Sequence, residues 1–297
     1  MLNVKNKDQS ITILMKGSKS KGFLPSFFKV KPIYISKVWG DKSDPNHTGE
    51  IIKFEINSTQ SNYITQELSL YDIYNDLNLR TKIFGKKYFD KDVFPFLIKY
   101  ITAGENLSLQ VHPPSKNEVW YFLTKEESKI ILGLKENLKN DTLQNVMENI
   151  NTFNVKHGDF AIVDSGTIHS IMENNIVCEI QDNADDTLRL YDWGRNRKLS
   201  EQEAFQVMNK SKIDLTKKFQ SNFKTYKTSN FNIFKYVIDS KKTFKKQEEC
   251  NVLIITRGNG KLYSDDCVLD LQEGDCIFLS AYLSYEIYGK MELLTIS

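Results

Sequence analysis

The chain has little of what much catalytic machinery is made from. Only four histidines occur in 297 residues, His47, His112, His157 and His169, so any imidazole chemistry must draw on that short set. There are four cysteines, Cys178, Cys250, Cys267 and Cys276, and no two form a Cys-x-x-Cys pair. This spacing excludes the common thiolate zinc sites and redox motifs and reads as free thiols in a reducing cytoplasm. No apolar run approaches the roughly 18 residues of a membrane helix. The opening MLNVKNKDQSITILMKGSKSK has too short an apolar patch for a secretory signal. Charge of one sign is also missing, because 40 basic residues meet 38 acidic ones for a net charge of +2. A nucleic-acid binder usually carries a basic stripe, so neither nucleic acid nor membrane is an expected partner. The run KSKIDLTKK, 210–218, reads as a solvated face.

What the chain has in quantity is strand signal. KPIYIS, IIKFEI, FPFLIKYI, NLSLQV, VWYFL, KIILGL, FAIV, NIVCEI and TLRLY are short and rich in β-branched and aromatic residues, with turn residues between them. Helices are expected at SLYDIYNDL (69–77), at NDTLQNVMENI (140–150) with Leu143, Val146, Met147 and Ile150 on one face, and at SEQEAFQVMN (200–209) behind a Ser200-x-x-Glu203 capping box. Strands resume after a polar, Lys-rich stretch at 209–229. An internal echo links the two parts: HGDFAIVDSGTIHSI (157–171) aligns with EGDCIFLSAYLSYEI (273–287), with Tyr285 where the first copy has His169. The expectation is an all-β double barrel with a few attached helices. Its parts are an N-terminal extension at 1–23, a metal-binding domain at 24–208, a linker at 209–229 and a degenerate, metal-free domain at 230–297.

The most informative stretch is GENLSLQVHPPSKNEVWYF, 104–122. Strand alternation points Gln110 and His112 to one side. The PPSKN turn then reverses the chain, so that Glu118 can face them, and His169 follows a second tight turn, DSGT. Two imidazoles, a carboxylate and an amide oxygen suit one divalent ion of borderline softness, zinc first, then manganese, iron or cobalt. His157 reads as solvent-facing, His47 as a loop residue, and Trp39 and Trp120 as core.

The spacing Gly104, Gln110, His112, Glu118 and then Gly158, Gly166, His169 resembles the two signature motifs of the cupin superfamily, here taken as two β-barrel (jelly-roll) domains. More narrowly, the chain resembles the type I mannose-6-phosphate isomerases in their short bacterial form. The resemblance rests on KVWGDK (37–42), FPFLIKYITAGENLSLQVHP (94–113), KNEVWYFL (116–123), GDFAIVDSGTIHSI (158–171) and EIQDNADDTLRLYDWGR (179–195). It implies Gln110, His112, Glu118 and His169 as metal ligands, Arg189 as an active-site arginine, Lys116 as an acid/base or sugar-contacting lysine, and Ser108 as a pocket residue. The implied substrate is a small sugar phosphate, with mannose 6-phosphate and fructose 6-phosphate interconverted through a cis-enediol. Lys116, Glu179 or a metal-bound hydroxide could serve as base. Departures from the family pattern are the five-residue PPSKN in place of a much longer loop, Asp164 for a proline, and Ala184 for a serine. A sugar-phosphate-binding cupin without turnover, or an isomerase of another sugar, would keep the same ligands. Retention of Lys116 and Arg189 favours catalysis, because metal binding needs neither.

Overall fold

The computed structural model describes residues 26–64, 68–264 and 267–297, together with the backbone of the short strands Asn6–Lys7, Ser10–Leu14 and Lys21–Leu24. Much of the expected extension at 1–23 therefore lies outside the described residues. The chain divides into two units. One comprises Pro32–Glu55 and Pro95–Phe223, the other Met1–Lys31, Ile56–Phe94 and Lys224–Ser297.

The first unit is built from two sheets. A seven-stranded sheet runs, in spatial order, Phe219–Gln220, Phe160–Val163, Glu118–Phe122, Ile176–Asp182, Phe96–Thr102, Thr48–Phe54 and Ile33–Ser36. A five-stranded sheet runs Ile150–Val155, Ser128–Leu134, His169–Ile171, Leu109–Val111 and Leu188–Tyr191. Both contribute to one apolar core: Ile101, Trp120, Phe122, Val163 and Val177 from the first meet Ile130, Leu132, Val155 and Ile171 from the second. The continuous apolar runs of the sequence follow from this, since a strand covered on both faces cannot alternate. The second unit holds an eight-stranded sheet dominated by two long strands, Asn251–Ser264 and Tyr285–Ile296.

The mainly-β expectation with few helices holds, but the expected pair of closed barrels does not. No sheet closes on itself: the seven- and five-stranded sheets are open paths with two ends, and the eight-stranded sheet branches, with Lys241–Phe244 pairing Tyr285–Ile296 and Cys267–Gln272 pairing Asn251–Ser264 off its main path. Closure needs edge strands that meet in register, and here the edges end pairing instead. Phe219–Gln220 is only two residues long, and Leu188–Tyr191 carries a register shift between Arg189 and Tyr191.

The helices are shorter than the sequence suggests. Ser69 caps Leu70–Asn75 in a full capping box with Asp72, after which Asp76 starts a second helix, Leu77–Ile83. Leu143–Asn149 ends where Ile150 enters a strand, and this leaves Met147 36% exposed rather than on the apolar face. Ser200 precedes Glu201–Val207 but makes no side-chain cap.

The internal echo is structural. Gly158 and Gly274 have φ of +88° and +87°. Asp159 and Asp275 each accept from the backbone three residues back, from Lys156 N–H at 2.9 Å and Gln272 N–H at 2.8 Å. The ladders beyond match pair for pair: Val163 opposite Glu118 corresponds to Leu279 opposite Asn251, and Glu179 opposite Trp120 to Thr295 opposite Leu253.

Candidate metal centre

Local sequence sets the ligands in place. The strand Leu109–Val111 stops before Pro113 and Pro114, which have no N–H to give a ladder. Lys116 N–H closes the turn on the Pro113 carbonyl at 3.1 Å, and Glu118 opens the returning strand. His169 pairs across its sheet with Gln110. Gly166 makes the approach possible. Its φ is +75°, its N–H donates to the His112 carbonyl at 2.8 Å, and a Cβ there would stand 2.6 Å from the Val207 carbonyl oxygen.

His112, Glu118 and His169 converge, with one donor atom of each within 4.8 Å of the others. His112 Nε2 is 3.0 Å from Glu118 Oε2, and His169 Nε2 is 3.5 Å from Oε1. All three side chains are buried. The other ring nitrogens decide the tautomers. His112 Nδ1 lies 2.7 Å from the Asp186 carbonyl oxygen, and His169 Nδ1 lies 2.7 Å from that of Thr167. A carbonyl only accepts, so each Nδ1 carries a proton, and in the neutral ring that ligates a metal each Nε2 presents a lone pair. His112 Nε2 receives no hydrogen bond. Lone pairs and carboxylate oxygens therefore face one another, an arrangement that a cation resolves. Outward Nδ1–H bonds to carbonyls are also the usual support of metal-bound histidines. The residues fit a single divalent metal ion.

Gln110 stands beside the triad. Its Oε1 accepts from Ser108 Oγ at 2.8 Å, and its Nε2 lies 3.3 Å from His169 Nε2. An amide ligates through oxygen, so Gln110 would join the centre only with its amide turned over. The Ser108 hydroxyl can accept as well as donate and accommodates either orientation.

The charges suit this role. Burial and the neighbouring His112 push His169 down to about 3, so it is neutral as a ligand must be. Burial alone would raise the Glu118 carboxyl, but His112 and Lys116 hold it well below the carboxylate range. Burial, together with the charge of Glu118, raises Glu179.

Around the centre lies a cleft of about 220 Å³. It gathers the other candidate site residues, Ser108, Lys116, Glu179 and Arg189. Lys116 Nζ is 3.3 Å from Glu118 Oε2, Glu179 Oε1 is 3.1 Å from Lys99 Nζ, and Ser108 and Arg189 line the wall. Arg189 Nε is buried without a hydrogen-bond partner, and burial beside Arg197 lowers the guanidinium pKa. Sequence reasoning missed Lys37, Glu50, Lys99, Asp185 and Arg197, which also line the cleft. Lys99 carried a signal, being the one charge in the apolar strand FLIKYIT, directly opposite Glu179. Trp120 is core, as read, but its Nε1–H also donates to Glu118 Oε1 and to Glu179 Oε2, each at 3.1 Å. Trp39 is buried and lines the cleft too. His47 is an exposed loop residue and His157 is partly buried against Tyr121. The four cysteines are free, three of them buried. No helix among the described residues is long and apolar enough to cross a membrane.

Comparison with known proteins agrees with the motif resemblance. Residues 221–297 match the family described as mannose-6-phosphate isomerase, cupin domain. The chain is 25% identical to the mannose-6-phosphate isomerase ManA of Bacillus subtilis, over 91% of this chain and 98% of that protein. It is 27% identical to the probable mannose-6-phosphate isomerase GmuF of the same organism, over 72% of this chain and 77% of the relative. A crystal structure of a Bacillus subtilis mannose 6-phosphate isomerase superposes with a TM-score of 0.77 at 22% identity, covering 91% of this chain and 98% of that one. A mannose 6-phosphate isomerase structure described as bound with zinc and yttrium superposes at 0.75 with 14% identity, over 92% of this chain and 99% of that one. The resemblance to the mannose-6-phosphate isomerases is thus borne out along nine-tenths of the chain.

Proposed function

We propose that this chain is a metal-dependent aldose–ketose isomerase of the cytoplasm that interconverts mannose 6-phosphate and fructose 6-phosphate. The observation that carries the reading is the meeting, in one cleft, of the His112–Glu118–His169 donor set with Lys116, Glu179 and Arg189. The donor set suits zinc. When bound, the ion supplies Lewis-acid stabilisation of the enediolate oxygens.

The chain's own residues supply the rest. Five basic side chains, Lys37, Lys99, Lys116, Arg189 and Arg197, line the cleft against four acids, Glu50, Glu118, Glu179 and Asp185. With a divalent cation added, the balance favours an anionic substrate such as a sugar phosphate. We assign the phosphate to Arg189, a reading supported by its place in the cleft wall and by an Nε–H with no partner inside the protein. Arg197 is held by Asp192, its Nε–H donating to Oδ2 at 2.7 Å, and keeps a second positive charge at the wall.

Isomerisation moves two protons, one between C2 and C1 and one between their oxygens. Lys116 and Glu179 are the two proton carriers at hand. Both oxygens of Glu179 are engaged, by Lys99 and by Trp120, whereas Lys116 is tied only to Glu118. Lys116 is therefore assigned the carbon-bound proton, which it takes from one carbon and returns to the other as the free amine, after its ammonium has given a proton to solvent. Glu179, whose raised pKa lets it hold a proton more readily than an ordinary carboxylate, is assigned the hydroxyl proton. Ser108 positions the sugar at the Gln110 side.

The test is a coupled assay of zinc-loaded protein with mannose 6-phosphate beside a chelated control. Fructose 6-phosphate formation that the chelator abolishes is expected. Absence of turnover in protein holding about one ion per chain would sink the substrate assignment. R189A is expected to lose turnover and keep its metal.

A further inference from the structure

One buried side chain joins the two carboxylates of the site without facing the cleft itself. We propose that Trp120 is a positioning residue whose single indole N–H, shared between Glu118 and Glu179, sets the metal's carboxylate ligand and the cleft's second carboxylate in one fixed geometry. The proposal rests on the metal-site reading above.

Four observations carry it. The bond is forked evenly, with Nε1 3.1 Å from Glu118 Oε1 and 3.1 Å from Glu179 Oε2, on an indole that is 1% exposed. Each carboxylate already has an ammonium at its other oxygen, Lys116 at Glu118 Oε2 and Lys99 at Glu179 Oε1. The indole thus occupies the one oxygen of each that the lysines leave, and Oε2, the oxygen 3.0 Å from His112 Nε2, is the one that would be left to hold an ion. The ring also touches a second ligand, packing edge-on against His169 with centroids 5.5 Å apart and 71° between planes.

The fourth observation comes from the other unit. The matching ladder position there is Leu253, and the positions matching Glu118 and Glu179 are Asn251 and Thr295. Leu253 is fully buried and fills its place by packing alone. A buried apolar residue therefore satisfies this ladder position when no carboxylates flank it, and the N–H-bearing side chain stands where two carboxylates need a donor. A buried indole N–H is costly without a partner, so the tryptophan and the two acids belong together.

The experiment compares W120F with a protein carrying 3-benzothienylalanine at position 120. The second substitution keeps the bicyclic shape and replaces the N–H by sulfur. Three quantities are read: the melting temperature of the metal-free protein, zinc affinity by competition with a chromophoric chelator, and kcat and KM at saturating zinc. The benzothienyl protein is expected to fold and to melt somewhat below the parent, having lost a donor to two buried carboxylates, to bind zinc about 10–100-fold more weakly, the usual cost of removing a supporting hydrogen bond from a ligand, and to lose kcat with KM unchanged. Zinc affinity equal to the parent's in the benzothienyl protein would overturn the proposal, whether or not W120F is impaired, because only packing would then matter. Should the parent bind zinc yet isomerise no mannose 6-phosphate, the substrate reading falls while the affinity comparison still decides the role of Trp120.

Discussion

The first unit and the second run the same ladder with different contents. Each has a left-handed glycine, an aspartate that caps its own turn, and strands in matching register. In the first, the register brings together Glu118, Trp120, His169, Glu179, Lys99 and Gln110. In the second, the corresponding residues are Asn251, Leu253, Tyr285, Thr295, Phe234 and Phe244. Where Gln110 meets His169 at 3.3 Å, Phe244 stacks on Tyr285 with centroids 4.6 Å apart. The difference teaches that the ladder does not depend on the metal centre. Glycine turns and apolar strands hold it in both units, and the first adds a cluster of buried charges that an apolar core would otherwise exclude.

Exchanging residues between the units tests that view. The largest effect is expected from H169Y, which installs the second unit's residue in the first. Zinc affinity should fall by more than about 100-fold, beyond what losing a mere supporting group costs, and metal analysis of the purified protein checks it. A variant that still holds stoichiometric zinc would mean that His169 is no ligand.

K99F comes next. It leaves Glu179 buried without its ammonium and should cost about 3–5 kcal/mol in chemical denaturation. The double variant K99F/E179T, which copies the Phe234–Thr295 pair, should recover much of that loss. Simple additivity of the two single changes would show that Lys99 and Glu179 are not coupled.

The ion network after Leu188–Tyr191 separates the units further. Asp192 is buried and accepts from Arg195 at 2.8 Å and Arg197 at 2.7 Å. Burial opposes its ionisation, but both arginines outweigh it and lower its pKa. A carboxyl depressed in the folded state adds stability above its unfolded pKa and loses it as pH falls through the folded value. D192A should therefore cost roughly 2–3 kcal/mol at neutral pH. The gap from the parent should stay level down to the ordinary carboxylate range, about pH 4, and close below it, as denaturant midpoints across pH would reveal.

The smallest effect should be shared. G158A and G274A each force a Cβ into the same left-handed turn and should each cost about 1 kcal/mol. Unequal losses of thermal stability would break the equivalence of the two turns.

The cluster able to hold a metal was legible because each member sits in a short local motif: His112 two residues past Gln110, Glu118 just past a five-residue turn, His169 three residues after Gly166. The rest of the cleft was not, since Glu50 and Lys99 reach it through cross-strand register and Arg197 from the coil after Leu188–Tyr191, neither of which local spacing encodes. Lys99 could have been noticed, as a lone charge in an apolar strand needs a buried partner. Strand patterns gave the sheets but not their edges, because alternation is the same whether or not the two ends of a sheet meet. Leu77–Ile83 escaped notice because Asp76 serves both as the C-cap of one helix and the N-cap of the next, so the break looks like continuity. Ser200 and Glu203 show the converse, a capping pattern whose side-chain bond does not form.

Both ligand imidazoles are oriented by main-chain oxygens, those of Thr167 and Asp186, rather than by side chains. Every amino acid brings the same carbonyl, so these two positions can drift in evolution without disturbing the tautomers. A carboxylate in that supporting place could be lost by a single codon change. The centre is therefore buffered against mutation where it would otherwise be most fragile, and the chain could diverge widely in its surroundings while keeping its imidazoles aimed.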